Sequence, residues 1–313
     1  MLDLLTAAVL VAGGYDGGRE LCALQDRAIS ESSGLVTGAR SEELFTHNDS
    51  GDTARFFALD RTCRTTAIYQ LKGVQARDWE DISRGPKGTL WLGDIGDNSE
   101  TRERGVLVHR VTEPLPGSST VLTPTSYRLR YDDGPHDAEA MLVTADSRVI
   151  VVTKGLGSRA GVYATEGALR GGGLVNPLHL VAEAAVSLVT GGDLSPDGTR
   201  VVLRNYAAAY EWDVRDGDVV KAFSGEPVRI PLPPSQQGEG IAYDRDGRSL
   251  LTSSEGVGAP MDVLRRTGRS AQPRAAPTAA PAVEQGWRVP LPVVLAAAAL
   301  LLAGLAVLRR PRH

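Results

Sequence analysis

Five short stretches, spaced at a blade-like interval, constrain this chain more than any other feature. Ser33-Gly34-Leu35, Glu80-Asp81-Ile82, Glu139-Ala140-Met141, Gly192-Asp193-Leu194 and Glu239-Gly240-Ile241 share one form. Each sets a polar or small residue, then a small or acidic one, then an aliphatic residue opening a strand. The steps between first positions are 47, 59, 53 and 47 residues. Such a period matches a propeller blade, a four-stranded sheet set radially about a channel.

The rest of the body agrees. Short alternating runs such as VLVHRV, YRLRY and VIVVTK are separated by Gly, Pro, Asp and Asn turns, which is all-β patterning. Hairpins are marked by Ser195-Pro196-Asp197-Gly198 and Asp244-Arg245-Asp246-Gly247. The unit after Glu239 has only three strands, so Glu20–Ile29 is expected to supply its fourth and close the ring. The expected fold is therefore an all-β propeller over residues 20–268, with five four-stranded blades. Six blades is the alternative, because the 59-residue step has room for a further short strand.

The two ends read differently. Residues 1–14 are apolar and small, like a signal peptide, but carry Asp3 and no basic start. Residues 269–289 are rich in Ala and Pro and read as a stalk. Within 290–308 lies an uncharged run long enough for one transmembrane helix, and the tail 309–313 is basic. Basic residues favour the cytoplasmic side, so the expected arrangement is single-pass, with the propeller on the extracellular side. Cys22 and Cys63 fit no zinc spacing. In an exported protein they read as one disulfide, with two buried thiols the alternative. Six arginines against one acid follow Gly268, so the net charge of −4 conceals about −9 on residues 1–268. An acidic body argues against a nucleic-acid partner.

The innermost strands line the channel, so the first positions Ser33, Glu80, Glu139, Gly192 and Glu239 should converge at one mouth. Carboxylates brought together need an offset, and a hard cation such as calcium would supply it, with the Ser33 hydroxyl and Gly192 carbonyl completing the shell. A metal-free network closed by basic side chains is the other possibility. One hairpin later, a second layer returns to the same face: His47, Asn48 and Asp49; then Asp94, Asp97 and Asn98; then Lys154, Arg204 and Glu255. In the functional reading, His47 and Asp49 are the candidate acid–base groups and the others bind ligand, with Lys154 and Arg204 holding an anion. In the structural reading those two bases only neutralise acids. No GxSxG, Walker loop, HExxH or CxxC occurs.

The series HNDSGD, DWEDI, GDIGDN, HDAEAM, TGGDLSPDGTR and QGEGIAYD resembles a group of bacterial secreted propeller proteins, across roughly residues 20–266. No activity follows from that. The axial pattern is also similar to the five-bladed calcium-activated nucleotidases (apyrases), in which Ser and Glu residues that start inner strands hold one calcium. Ser33, Glu80, Glu139 and Glu239 match those positions, and Gly192 departs from the family's Ser. The resemblance implies a calcium site more than nucleotide hydrolysis. Two functions remain open. One is a membrane-anchored binding or scaffold module for a small anionic ligand or a surface protein. The other is an extracellular calcium-dependent hydrolase of a phosphate ester, nucleotide or lactone.

Overall fold

The computed structural model describes residues 14–157 and 159–267. Residues 1–13, the expected stalk at 269–289, the expected helix at 290–308 and the basic tail at 309–313 lie outside the described residues. Among the described residues no helix is long and apolar enough to cross a membrane.

The chain is almost wholly β. Strand β1 (Arg19–Ala23) comes first, then β2 (Ser32–Thr37), β3 (Leu44–Asn48), β4 (Arg55–Leu59) and β5 (Thr65–Leu71). Next are β6 (Trp79–Gly85), β7 (Thr89–Asp94), β8 (Val106–Thr112), the two-residue β9 (Val121–Leu122) and β10 (Thr125–Tyr131). The second half holds β11 (Ala138–Val143), β12 (Arg148–Thr153), β13 (Ala160–Ala168), β14 (Val175–Ala184), β15 (Val189–Leu194), β16 (Arg200–Asn205), β17 (Ala208–Asp213), the short helix α1 (Val219–Ala222) and β18 (Val228–Pro231). The last three strands are β19 (Gly238–Tyr243), β20 (Ser249–Ser254) and β21 (Pro260–Arg265).

The sheets are built from antiparallel meanders. The runs β2-β3-β4-β5 and β15-β16-β17-β18 follow chain order, and β9 adds to the edge of β5. The runs β6-β7-β8-β10 and β11-β12-β13-β14 join edge to edge through the parallel pair β10–β14. The strands β19, β20 and β21 are completed by β1, which pairs with β21 as the sequence suggests. The first strands β2, β6, β11, β15 and β19 pack on one another in a closed cycle. An inner ring of strands with meanders running outward is a propeller-like fold.

The inner strands are buried on both faces, which is why they carry small residues. A Cβ on Gly240 would lie 2.6 Å from the Ser33 carbonyl oxygen, and one on Gly191 would lie 2.6 Å from that of Glu239. Two carboxylates strap the ring internally. Asp81 accepts from the Met141 amide at 2.8 Å, and Asp193 accepts from the Tyr243 amide at 2.8 Å. Arg84 reaches across the channel to Asp193 at 3.0 Å. Between sheets, aliphatic side chains dominate the cores, with Trp91, Tyr127, Trp212 and Phe223 among the few aromatics.

Closure is fastened twice. Cys22 of β1 and Cys63 after β4 form a disulfide, with Cα atoms 5.7 Å apart. Glu211 of β17 accepts from the hydroxyls of Tyr15 at 2.7 Å and Tyr243 at 2.9 Å, and pairs with Arg266. Tyr15 bridges to Arg266, and the Arg266 amide donates to the Arg248 carbonyl at 3.3 Å. Both ends of the described body therefore meet beside the β19–β20 hairpin. That hairpin lies at the end of the inner ring opposite Ser33, Glu80 and Glu239.

Candidate functional site

Strands β6 and β11 each begin at an Asp-x-Glu sequence, Asp78-Trp79-Glu80 and Asp137-Ala138-Glu139. Extended backbone sends residues i and i+2 to the same side, so each pair presents two carboxylates together. Two overlapping groups result at one mouth of the channel. Asp49, Asp78 and Glu80 each place an oxygen within 4.8 Å of the others, as do Glu80, Asp137 and Glu139. Glu80 belongs to both groups. It is 3% exposed, and among the described residues no side chain or amide donates to its carboxylate.

The electrostatics follow. Burial first, then Glu139, Asp49, Asp78 and Asp137, push the Glu80 carboxyl well above its usual range. Burial and the neighbouring Asp49 raise Asp78 to about 6. Burial, with the charges of Glu139 and Glu255, raises Glu239 to about 8. Glu239 lies outside the two tight groups but feels the same charges. Burial also carries Glu139 to about 7, against the pull of Lys154, whose ammonium is bonded to it.

A loop after β7 holds this arrangement in place. Arg102 donates to Asp94 Oδ1 and to the Gly96 carbonyl, both at 2.8 Å. The Asp94 carboxylate accepts from the amides of Arg77 at 3.2 Å and Asp78 at 3.3 Å. The Asp97 carboxylate accepts from the amides of Thr101 at 3.0 Å and Arg102 at 2.7 Å. The Asp97 amide in turn donates to Asp137 Oδ1 at 2.8 Å. Between them, Gly96 lets the Glu80 and Asp78 carboxylates lie against the loop where a side chain would collide with them. A Cβ there would lie 2.1 Å from Glu80 Oε1 and 2.6 Å from Asp78 Oδ2.

Of the residues singled out in the sequence, Glu80, Glu139, Asp49 and, by charge, Glu239 and Glu255 come to this mouth. Others sit elsewhere or are already engaged. The Ser33 hydroxyl donates to the Glu80 carbonyl at 2.9 Å, tying β2 to β6. Gly192 allows close packing, since a Cβ would stand 2.7 Å from the Leu203 side chain. His47 is fully buried, with Nδ1 on the Asn48 carbonyl at 2.8 Å and its ring edge-on to Trp79. Burial lowers its pKa to about 4, which disfavours the protonated form. Asn48 bonds the Ala28 carbonyl and Asp52, both at 2.8 Å. Asp94 and Asp97 brace the loop, and Asn98 is exposed upon it.

The expected anion clamp does not form. Arg204 is 1% exposed and donates to the carbonyls of Gly240 at 3.0 Å and Ser253 at 3.2 Å. Burial lowers its pKa to about 10, against the raising charge of Glu239. Lys154 is occupied by Glu139. Asp78 and Asp137 are the site residues that the sequence analysis passed over, although the repeated Asp-x-Glu was visible.

All donors at the mouth are carboxylate oxygens, which suits a hard cation of the calcium type. Glu80, common to both groups, is the residue such an ion would share with each.

No known family description matches the sequence, and no curated protein matches it. Solved structures do. A gluconolactonase of Xanthomonas campestris matches at TM-score 0.46 and 13% identity, over 78% of this chain and 88% of that one. A PQQ-bound aldose sugar dehydrogenase of Streptomyces coelicolor matches at 0.48 and 11%, over 79% and 97%. A luciferin-regenerating enzyme matches at 0.41 and 11%, over 78% and 93%. None of these is a calcium-activated nucleotidase, and the resemblance to that family gains no support from them. The chain's own strand order, not these likenesses, makes it propeller-like.

Proposed function

We propose that this chain is a calcium-dependent hydrolase of a neutral ester, a lactone above all, working at the acidic mouth of a five-bladed propeller. The observation that carries it is Glu80, 3% exposed and shared by two groups of acids at one mouth of the channel. The blade count rests on the closed cycle of β2, β6, β11, β15 and β19. A neutral substrate follows from charge. The mouth is lined by acids, and its one nearby lysine is spent on Glu139. A phosphate ester or nucleotide would meet repulsion there.

Glu80, flanked by Asp78 and Asp137, would hold the cation, which supplies Lewis acidity toward the ester carbonyl. Asp49, half-buried at the rim, would take the proton of the attacking water. Glu239, outside the two tight groups, would protonate the departing alkoxide oxygen. Lys154 fixes Glu139 by charge.

The test is calorimetric calcium titration of the purified chain, with hydrolysis of a panel of lactones and aryl esters measured in calcium and in EDTA. Saturable binding and calcium-dependent turnover, both lost in Glu80→Gln, are expected. Calcium binding without turnover of any ester would return the function to a binding or scaffold role. No calcium binding would sink the site itself.

We also propose that the body is displayed outside the cell on a membrane anchor, on the sequence of 290–308 and on the Cys22–Cys63 disulfide, which suits an oxidising compartment. Protease added to intact cells should then digest the body. Full protection would overturn this.

A further inference from the structure

We propose that the cleft beside the β6–β10 meander, under the segment joining β5 to β6, is a second ligand site, for a small organic anion. This cavity, of about 860 Å³, is not lined by any of the clustered acids of the mouth, although it shares Asp94 and Arg102 with the loop that braces them. Its walls are the segment after β5, the segment leading into β8, and residues of β8 and β10.

Charge is the first observation. Arg77, Arg104 and Arg128 line the cavity, and among the described residues none has a carboxylate within salt-bridge distance. The fourth arginine there, Arg102, is buried and already paired with Asp94. Glu103 lines the same wall, is exposed, and forms no ion pair with them. Arg77 and Arg104 are exposed and Arg128 is half-buried, donating to the Arg104 carbonyl at 3.2 Å; with no carboxylate paired to them, these guanidinium groups can accept a bound carboxylate or phosphate.

An unpaired buried group is the second. His109 lines the cavity and is 2% exposed. Its Nδ1 meets the Ser126 hydroxyl at 2.8 Å, while Nε2 has no hydrogen-bond partner. A buried polar atom left unpaired costs free energy that a ligand or an ordered water would recover. Burial holds this imidazole neutral, lowering it to about 4, so it offers a hydrogen bond and no charge.

Leu107 and Tyr127 give the same cavity an apolar side, and its volume falls within the range of small-molecule sites. The ligand so described has an aromatic or aliphatic body and one acidic group. The acidic mouth would repel such a molecule, so the two sites select ligands of different charge.

The experiment is calorimetric titration of the full chain with phenyl phosphate and with inorganic phosphate, in EDTA. Saturable binding is expected, at least tenfold tighter for phenyl phosphate. Arg77→Ala combined with Arg128→Ala, both outside the buried core, should weaken it at least tenfold. Lys154→Ala should leave it unchanged. Equal affinity for the two probes would overturn the ligand class. No saturable binding, or binding lost in Lys154→Ala but kept in the arginine variant, would overturn the site.

Discussion

A carboxylate without a donor needs its neighbours held at fixed positions, and at this mouth Arg102 does much of the holding. Its side chain is 5% exposed and that of its partner Asp94 is 1% exposed. Through Asp94 and Gly96 it sets where Asp78 stands and keeps the loop against Glu80. Removing one partner of a buried pair strands the other, at a cost of about 3–5 kcal/mol. Arg102→Ala should therefore lose about that much in urea denaturation, and should weaken calcium binding more than tenfold. Lost stability with unchanged calcium affinity would mean that Arg102 serves the fold alone. None of this was legible in the sequence, where Arg102 is one arginine in a polar loop. Asp78 and Asp137 were legible in principle. They stand two residues before Glu80 and Glu139, and period-two geometry puts them on the same side. His47 and Arg204 misled for a related reason. A polar residue at the end of an apolar strand can turn inward to backbone carbonyls as readily as outward to a ligand.

At the scale of elements, strands with strong alternation and marked turns were the readable ones. The runs VLVHRV, YRLRY and VIVVTK appear as the strands Val106–Thr112, Thr125–Tyr131 and Arg148–Thr153. The early closing strand was readable too, because the last unit lacked a fourth strand. Unread elements are those without a period. β9 has two residues, and its role is to cover the edge of β5, which would otherwise offer unpaired backbone groups. Helix α1 has four residues, capped by Asp218 accepting from the Lys221 amide at 3.0 Å. The parallel join of β10 to β14 depends on two outer strands meeting in space, and no local sequence signal encodes that. The disulfide was an open pairing until the closing strand placed Cys22 beside Cys63.

At the scale of the whole molecule, acidity gathered at one end of the channel makes stability depend on pH. Asp78, Glu139 and Glu239 are raised to about 6, 7 and 8 from ordinary values of 3.8, 4.5 and 4.5. Between the ordinary and the raised values, the folded state binds more protons than the unfolded chain. Through the window from about pH 6.5 to 8, above the range in which the lowered His47 and His109 act in the opposite sense, stability therefore falls as pH rises. Melting temperature in EDTA should decline across it, and calcium should flatten the decline by replacing the protons. A flat profile in EDTA would show that these carboxylates are not raised. The opposite end of the ring has its own consequence, because both ends of the body come out there beside the β19–β20 hairpin. A linker fused to either end would grip the protein by its back. Immobilised on a bead or sensor chip in that way, it would keep the acidic mouth toward bulk solution, with neither linker nor support in the path of an arriving substrate.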